Sequence, residues 1–127
     1  MIEGLRIVIV EDDALVAMDL ADLLIEMGHD VRAIAQTEDE AIAAAIRSEP
    51  DLMIVDGNLI EGSGVSAMRR ILTHGFVPHF FVTGEPSRRS GLSPAAIVIS
   101  KPFTIHDLAN GIAKARSITG WSKPATV

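Results

Sequence analysis

Residues 5–13 read Leu-Arg-Ile-Val-Ile-Val-Glu-Asp-Asp, a short apolar run that stops on three consecutive acids. Similar runs recur at residues 31–35, 52–55, 79–82 and 96–99, rich in Val, Ile or Phe and mostly continuous rather than alternating. Strands buried on both faces of a parallel sheet carry this pattern. Helical patterns lie between the runs. Leu20, Leu23, Leu24 and Met27 form one stripe at helical spacing, and Gly28 follows where a C-terminal cap belongs. Thr37-Glu38-Asp39-Glu40 has the spacing of a capping box; the alanine-rich stretch after it runs to about Ser48, and Pro50 stops it. A third helix is expected over about residues 64–73, ending near Gly75. A last one starts at Thr104, with Asp107 three residues on, and carries Ile105, Leu108, Ala109 and Ile112 on one stripe. The stretch from Glu85 to Pro94 holds two prolines, a glycine and three serines, so a short or irregular turn is expected there in place of a full helix.

Alternation of this kind predicts an α/β, doubly wound, five-stranded parallel sheet with helices on both sides and strand order 2-1-3-4-5. Residues 1–120 read as one domain and 121–127 as a short polar tail, with no output domain.

The 127 residues suffice for a proper core, and 48% hydrophobic against 22% charged residues is a globular composition. A formal charge of −6 argues against a nucleic-acid partner, which needs a clustered basic surface. The absence of cysteine excludes disulfides, zinc–thiolate sites and thiol catalysis. The first ten residues do not read as a signal peptide, and no stretch approaches the roughly 18–20 apolar residues of a membrane span. A cytoplasmic location is expected.

In open α/β sheets, sites form at the carboxyl ends of the strands. The runs end in Glu11-Asp12-Asp13, Asp56-Gly57-Asn58, Thr83-Gly84 and Ser100-Lys101-Pro102, so acids, a hydroxyl and an ammonium should converge. Crowded carboxylates suit a hard divalent cation such as Mg²⁺, which prefers oxygen ligands and retains waters. A cation and an ammonium together neutralise charge on a phosphoryl group in transfer, and an aspartate can accept that group covalently. The pattern points to phosphoryl transfer onto Asp56.

Over about residues 4–118 the chain resembles response-regulator receiver domains of two-component signalling. The matching residues are Glu11, Asp12, Asp56, Thr83 and Lys101, the last followed by Pro102-Phe103. The resemblance implies a flavodoxin-like fold with Asp56 as phosphoacceptor. It implies Mg²⁺ held directly by Asp12, Asp56 and the backbone carbonyl of Asn58, with Glu11 acting through water. Thr83 and Lys101 would meet phosphoryl oxygens, and the Lys101–Pro102 bond would be cis. Phe80-Phe81-Val82-Thr83-Gly84 is similar to the Phe-x-Thr-Gly signature of a single-domain subgroup from alphaproteobacteria, although Glu85-Pro86 depart from its continuation. Val98 stands where receivers often carry an aromatic switch residue. The interval from Thr83 to Lys101 is also shorter than usual, so the signal is expected to leave by ordering or shifting of residues 84–94.

The implied partners are a histidine kinase or phosphotransfer protein and a downstream protein target, with the chain itself a monomer or weak dimer and not an enzyme in the ordinary sense. The competing reading is a phosphate-independent protein-binding module. A phosphohydrolase is disfavoured, because such enzymes carry a second acid where this chain has Asn58. Asp12 or Asp13 can also serve simply as a helix cap. His29, His74, His79 and His106 lack metal-ligand spacing and read as structural or solvated. Arg69-Arg70 and Arg88-Arg89 read as exposed charges, and Trp121 as a tail aromatic that packs on its own domain.

Overall fold

The computed structural model describes residues 4–59, 62–84, 92 and 95–118. Its strands are β1 (Arg6–Val10), β2 (Asp30–Ala35), β3 (Leu52–Asp56), β4 (His79–Thr83) and β5 (Val98–Ser100). Its helices are α1 (Ala14–Glu26), α2 (Glu38–Ser48), α3 (Gly64–Ile71), which tightens into a 3-10 turn over Leu72–His74, and α4 (Ile105–Ser117). The strands pair in parallel in the order β2-β1-β3-β4-β5. Architecture and strand order are those the sequence implies.

The continuous apolar runs feed two cores, because successive residues of a strand face opposite ways. Ile7, Ile9, Leu52, Ile54, Phe80 and Val82 meet Leu20 and Leu24 of α1 and Leu108 and Ile112 of α4. On the other face Val8, Val10, Met53, Val55 and Phe81 meet Ala41, Ala44 and Ala45 of α2 and Ala67, Met68 and Ile71 of α3. The small residues of α2 let that helix sit close to the sheet.

Two expectations need correction. Continuous burial holds for β1 and β3 but not for the edge strands: β2 alternates and buries only Ala35, and β5 is half-buried at best. The α4 stripe is also rotated. Ile105 and Ala109 face solvent, while Gly111 and Ala115 join Leu108 and Ile112 on the buried face. The cause is close packing, since a Cβ on Gly111 would collide with Ile99 Cδ1 and lie 3.2 Å from the Phe80 ring.

The helix ends follow the chain's local chemistry. At the end of α1, Gly28 adopts φ +97°, donates to the Ile25 carbonyl, and is followed by His29 donating to Leu24. That paired arrangement is the Schellman cap, which needs a residue in the left-handed region. Thr37 Oγ1 accepts from the Glu40 N–H at 3.1 Å, but the Glu40 carboxylate reaches one residue past the cap to the Gln36 N–H at 2.8 Å. Thr104 and Asp107 form the full reciprocal box. The expected irregular fourth helix at residues 85–94 lies, Leu92 apart, outside the described residues, as do Arg88-Arg89 and the tail with Trp121. Among the described residues no helix is long and apolar enough to cross a membrane.

Candidate functional site

Parallel strands deliver their carboxyl ends to one edge of the sheet, so β1, β3, β4 and β5 present their next residues together. Asp56 ends the central strand and is only 6% exposed. Glu11 follows β1 and is 1% exposed, and Thr83 ends β4 and is buried. Lys101 follows β5, and its N–H donates to the Thr83 carbonyl at 2.8 Å. The Lys101–Pro102 bond is cis.

The Lys101 ammonium donates to Glu11 Oε1 at 3.0 Å and to Asp56 Oδ2 at 3.3 Å. Asp56 Oδ1 accepts from the Asn58 N–H at 3.0 Å. One carboxylate oxygen from each of Glu11, Asp12 and Asp56 lies within 4.8 Å of the others. Such a set of hard oxygens, two of its carboxyls buried, fits a small divalent cation rather than a soft one. The five residues expected at the strand ends are thus brought to one edge, and the backbone of Asn58 adjoins them.

Electrostatics reflect the crowding. Burial pushes the Glu11 carboxyl up to about 7; hydrogen bonds from Lys101 and the Asp13 N–H oppose the rise, and the nearby Asp56 charge adds to it. Burial pulls the Lys101 ammonium down, but its bond to Glu11 and the charges of Asp56 and Glu11 prevail and hold it above its ordinary value.

The choice of helix cap is resolved in favour of Asp13, whose Oδ1 accepts from the Leu15 and Val16 N–H groups at 3.0 and 3.2 Å. Its own N–H donates to Glu11 Oε2 at 3.1 Å, so the cap also fixes Glu11. His29 is structural, with Nδ1 accepting from the Leu5 N–H at 3.1 Å. His79 bonds the Val77 carbonyl at 2.8 Å and meets the Phe81 ring edge-on. Arg70 is exposed, as read, but pairs with Glu38 and Asp39.

Sequence reasoning missed Glu38. It reads as one more acid in the first turn of α2, yet its carboxylate accepts from the Ser63 N–H at 3.2 Å, the Ser66 hydroxyl at 2.7 Å and Arg70 at 3.0 Å. These partners lie 25 or more positions away, so no local pattern announces them. Gly62, with φ +87°, also lies against the Glu38 side chain.

Residues 7–113 match the family model of the response regulator receiver domain. The phyllosphere-induced regulator PhyR of Methylorubrum extorquens is 40% identical over 102 residues, covering 77% of this chain and 38% of that one. The solution structure of the PhyR receiver domain from Erythrobacter litoralis superposes with a TM-score of 0.83 at 29% identity, covering 98% of both chains. A mutant form of the anti-anti-sigma factor PhyR from Bartonella quintana gives a TM-score of 0.82 at 30% identity, with 94% of this chain matched to 51% of the other. The chain thus spans about two-fifths of the PhyR relative from Methylorubrum extorquens and half of that from Bartonella quintana. The likeness to PhyR supports the alphaproteobacterial subgroup.

Proposed function

Because the chain belongs to the response regulator receiver domain family, we propose that it accepts a phosphoryl group on Asp56 from a histidine kinase or phosphotransfer protein and signals through contacts with other proteins. One observation carries the reading: a buried carboxylate at the end of the central strand has one oxygen on a backbone N–H and the other 3.3 Å from an ammonium. In the transfer, an Asp56 oxygen attacks phosphorus while the donor's N–P bond breaks, and the leaving imidazole keeps the electron pair. Lys101 then follows the charge to a phosphoryl oxygen, and the Thr83 hydroxyl donates to another. Asp12, Asp56 and the Asn58 carbonyl would hold Mg²⁺ directly, with Glu11 bound through water; the cation would offset the phosphoryl charge.

A groove beside Lys101 runs along α1 and offers a partner a surface next to the site. Leu15 and Met18 on that helix are 74% and 58% exposed. The groove is about 610 Å³ and is lined by Val16, Asp19, Asp22, Leu23, Lys101, Pro102 and Phe103. Apolar area next to the acceptor suits a phosphodonor protein, which has to exclude water while the phosphoryl group moves.

Beryllofluoride with Mg²⁺ mimics an acyl phosphate and tests this reading against a phosphate-independent module. Amide shifts centred on Asn58, Thr83 and Lys101 that vanish in Asp56→Asn are expected. A spectrum indifferent to the mimic would leave only the binding-module reading.

A further inference from the structure

We propose that Glu38, at the amino end of α2, is a positioning residue for the acceptor and cation site: through Ser63 it fixes Asn58, whose carbonyl would meet the cation. This rests on the phosphoacceptor reading above. The β3–α3 connection is held at both ends. At Asp56 the carboxylate takes the Asn58 N–H at 3.0 Å, and the Gly64 N–H donates to the Gly57 carbonyl at 3.2 Å. At its far end Asn58 pairs with Ser63 in an antiparallel bridge. Ser63 is tied outward by its N–H to Glu38 Oε1, while its own hydroxyl caps α3 through Ser66. Glu38 Oε2 takes the Ser66 hydroxyl and Arg70. The same carboxylate therefore grips the loop, the first turn of α3 and a cation on the exposed side of that helix.

A second, independent feature points the same way. A Cβ on Gly62 would lie 2.6 Å from both Cβ and Oε1 of Glu38, and its φ is +87°. Gly62 is thus seated on the Glu38 side chain itself, in a backbone conformation that favours glycine. The Glu38 side chain is 16% exposed, and its hydrogen bond from Ser66, then that from Arg70, holds its carboxyl below the ordinary range. It stays an acceptor for the Ser63 N–H across the neutral pH range. Metal-site affinity responds strongly to groups that orient ligands without touching the ion. Glu38 has that relation to Asn58, reached through one hydrogen bond and one backbone bridge.

The test compares the whole protein with Glu38→Ala, Glu38→Gln and Asp39→Ala, measuring Mg²⁺ affinity by titration calorimetry and amide exchange at Asn58 and Ser63 without metal. Glu38→Ala is expected to weaken Mg²⁺ about tenfold and to speed Ser63 exchange, with the rate constant of acetyl phosphate labelling at saturating Mg²⁺ falling less than the apparent Mg²⁺ affinity. Glu38→Gln keeps the acceptor oxygen and should restore most of the affinity, while Asp39→Ala should match the parent. Should Glu38→Ala not fold, Glu38→Asp carries the test: its carboxylate is one methylene short of the Ser63 N–H, so Mg²⁺ affinity should fall and Ser63 exchange quicken, and parent values of both would overturn the inference. Equal Mg²⁺ affinity in parent and Glu38→Ala would overturn the inference and leave Glu38 a clamp between helices. A parent that binds no Mg²⁺ would overturn the underlying reading instead.

Discussion

Gly64→Ala is the substitution whose effect follows most directly from the packing of α3 on β3. A Cβ at this first position of α3 would collide with the Asp56 carbonyl oxygen and lie 2.6 Å from Val55 Cγ1. Both atoms belong to β3, which is locked between β1 and β4 and cannot yield. The start of α3 must therefore back away by about 1 Å, because a close-packed interior holds no slack for a methyl group. Overpacking of this kind costs about 1–3 kcal/mol, and replacing glycine in a helix returns at most about 1 kcal/mol. A net loss of about 1–2 kcal/mol lowers Tm by roughly 3–10 °C in a chain of this size. Thermal unfolding followed by circular dichroism in metal-free buffer measures it. Gly57→Ala is the control, because a Cβ there meets nothing within 4 Å, and its change should stay within about 0.5 kcal/mol. If Gly64→Ala melted with the parent, or if Gly57→Ala fell as far, the reasoning about the approach of α3 to Asp56 would be wrong. Acetyl phosphate labelling should also slow in Gly64→Ala, since the displaced start of α3 adjoins Ser63, which bridges to Asn58 beside the acceptor.

Further outcomes follow from the charges. His29 is held below its ordinary value by burial and then by the Arg116 charge. Its stabilising contribution is therefore present above the unfolded value of about 6.5 and lost as pH falls through the folded one. Between pH 7 and 5 the parent should lose stability more steeply than His29→Gln, by up to about 1.4 kcal/mol per pH unit; equal slopes in denaturant melts would refute this. Lys101→Ala leaves Glu11 and Asp56 facing each other and should cost on the order of 2 kcal/mol in metal-free buffer, whereas Asp12→Ala relieves crowding and should melt at or above the parent. A calorimetric scan showing the reverse order would contradict the electrostatic picture of the site.

Much of this was legible in the sequence because the fold converts strand order into position. Once the runs ending at Val10, Val55, Val82 and Ile99 are recognised as parallel strands, Glu11, Asp56, Thr83 and Lys101 must meet at one edge. Asp13 could not be told from Asp12 as the cap, since both precede α1 and only the backbone path decides. Burial at the sheet edges was over-read, because β2 has a neighbour on one side only and its alternation reports exposure that composition hides. The α4 face was misplaced by counting apolar side chains, when Gly111 turns inward because Phe80 and Ile99 leave no room for anything larger. Glu38 escaped because its partners Ser63, Ser66 and Arg70 are joined to it by tertiary packing of α2 on α3.

Asp56 as the phosphoacceptor is tested by intact-mass analysis after incubation with Mg²⁺ and acetyl phosphate or a cognate kinase. The expected result is the mass gain of one phosphoryl group, labile to hydroxylamine, located on Asp56 by peptide mapping and lost in Asp56→Asn. Undiminished labelling of Asp56→Asn, or a label mapped to Asp12 in the parent, would contradict it.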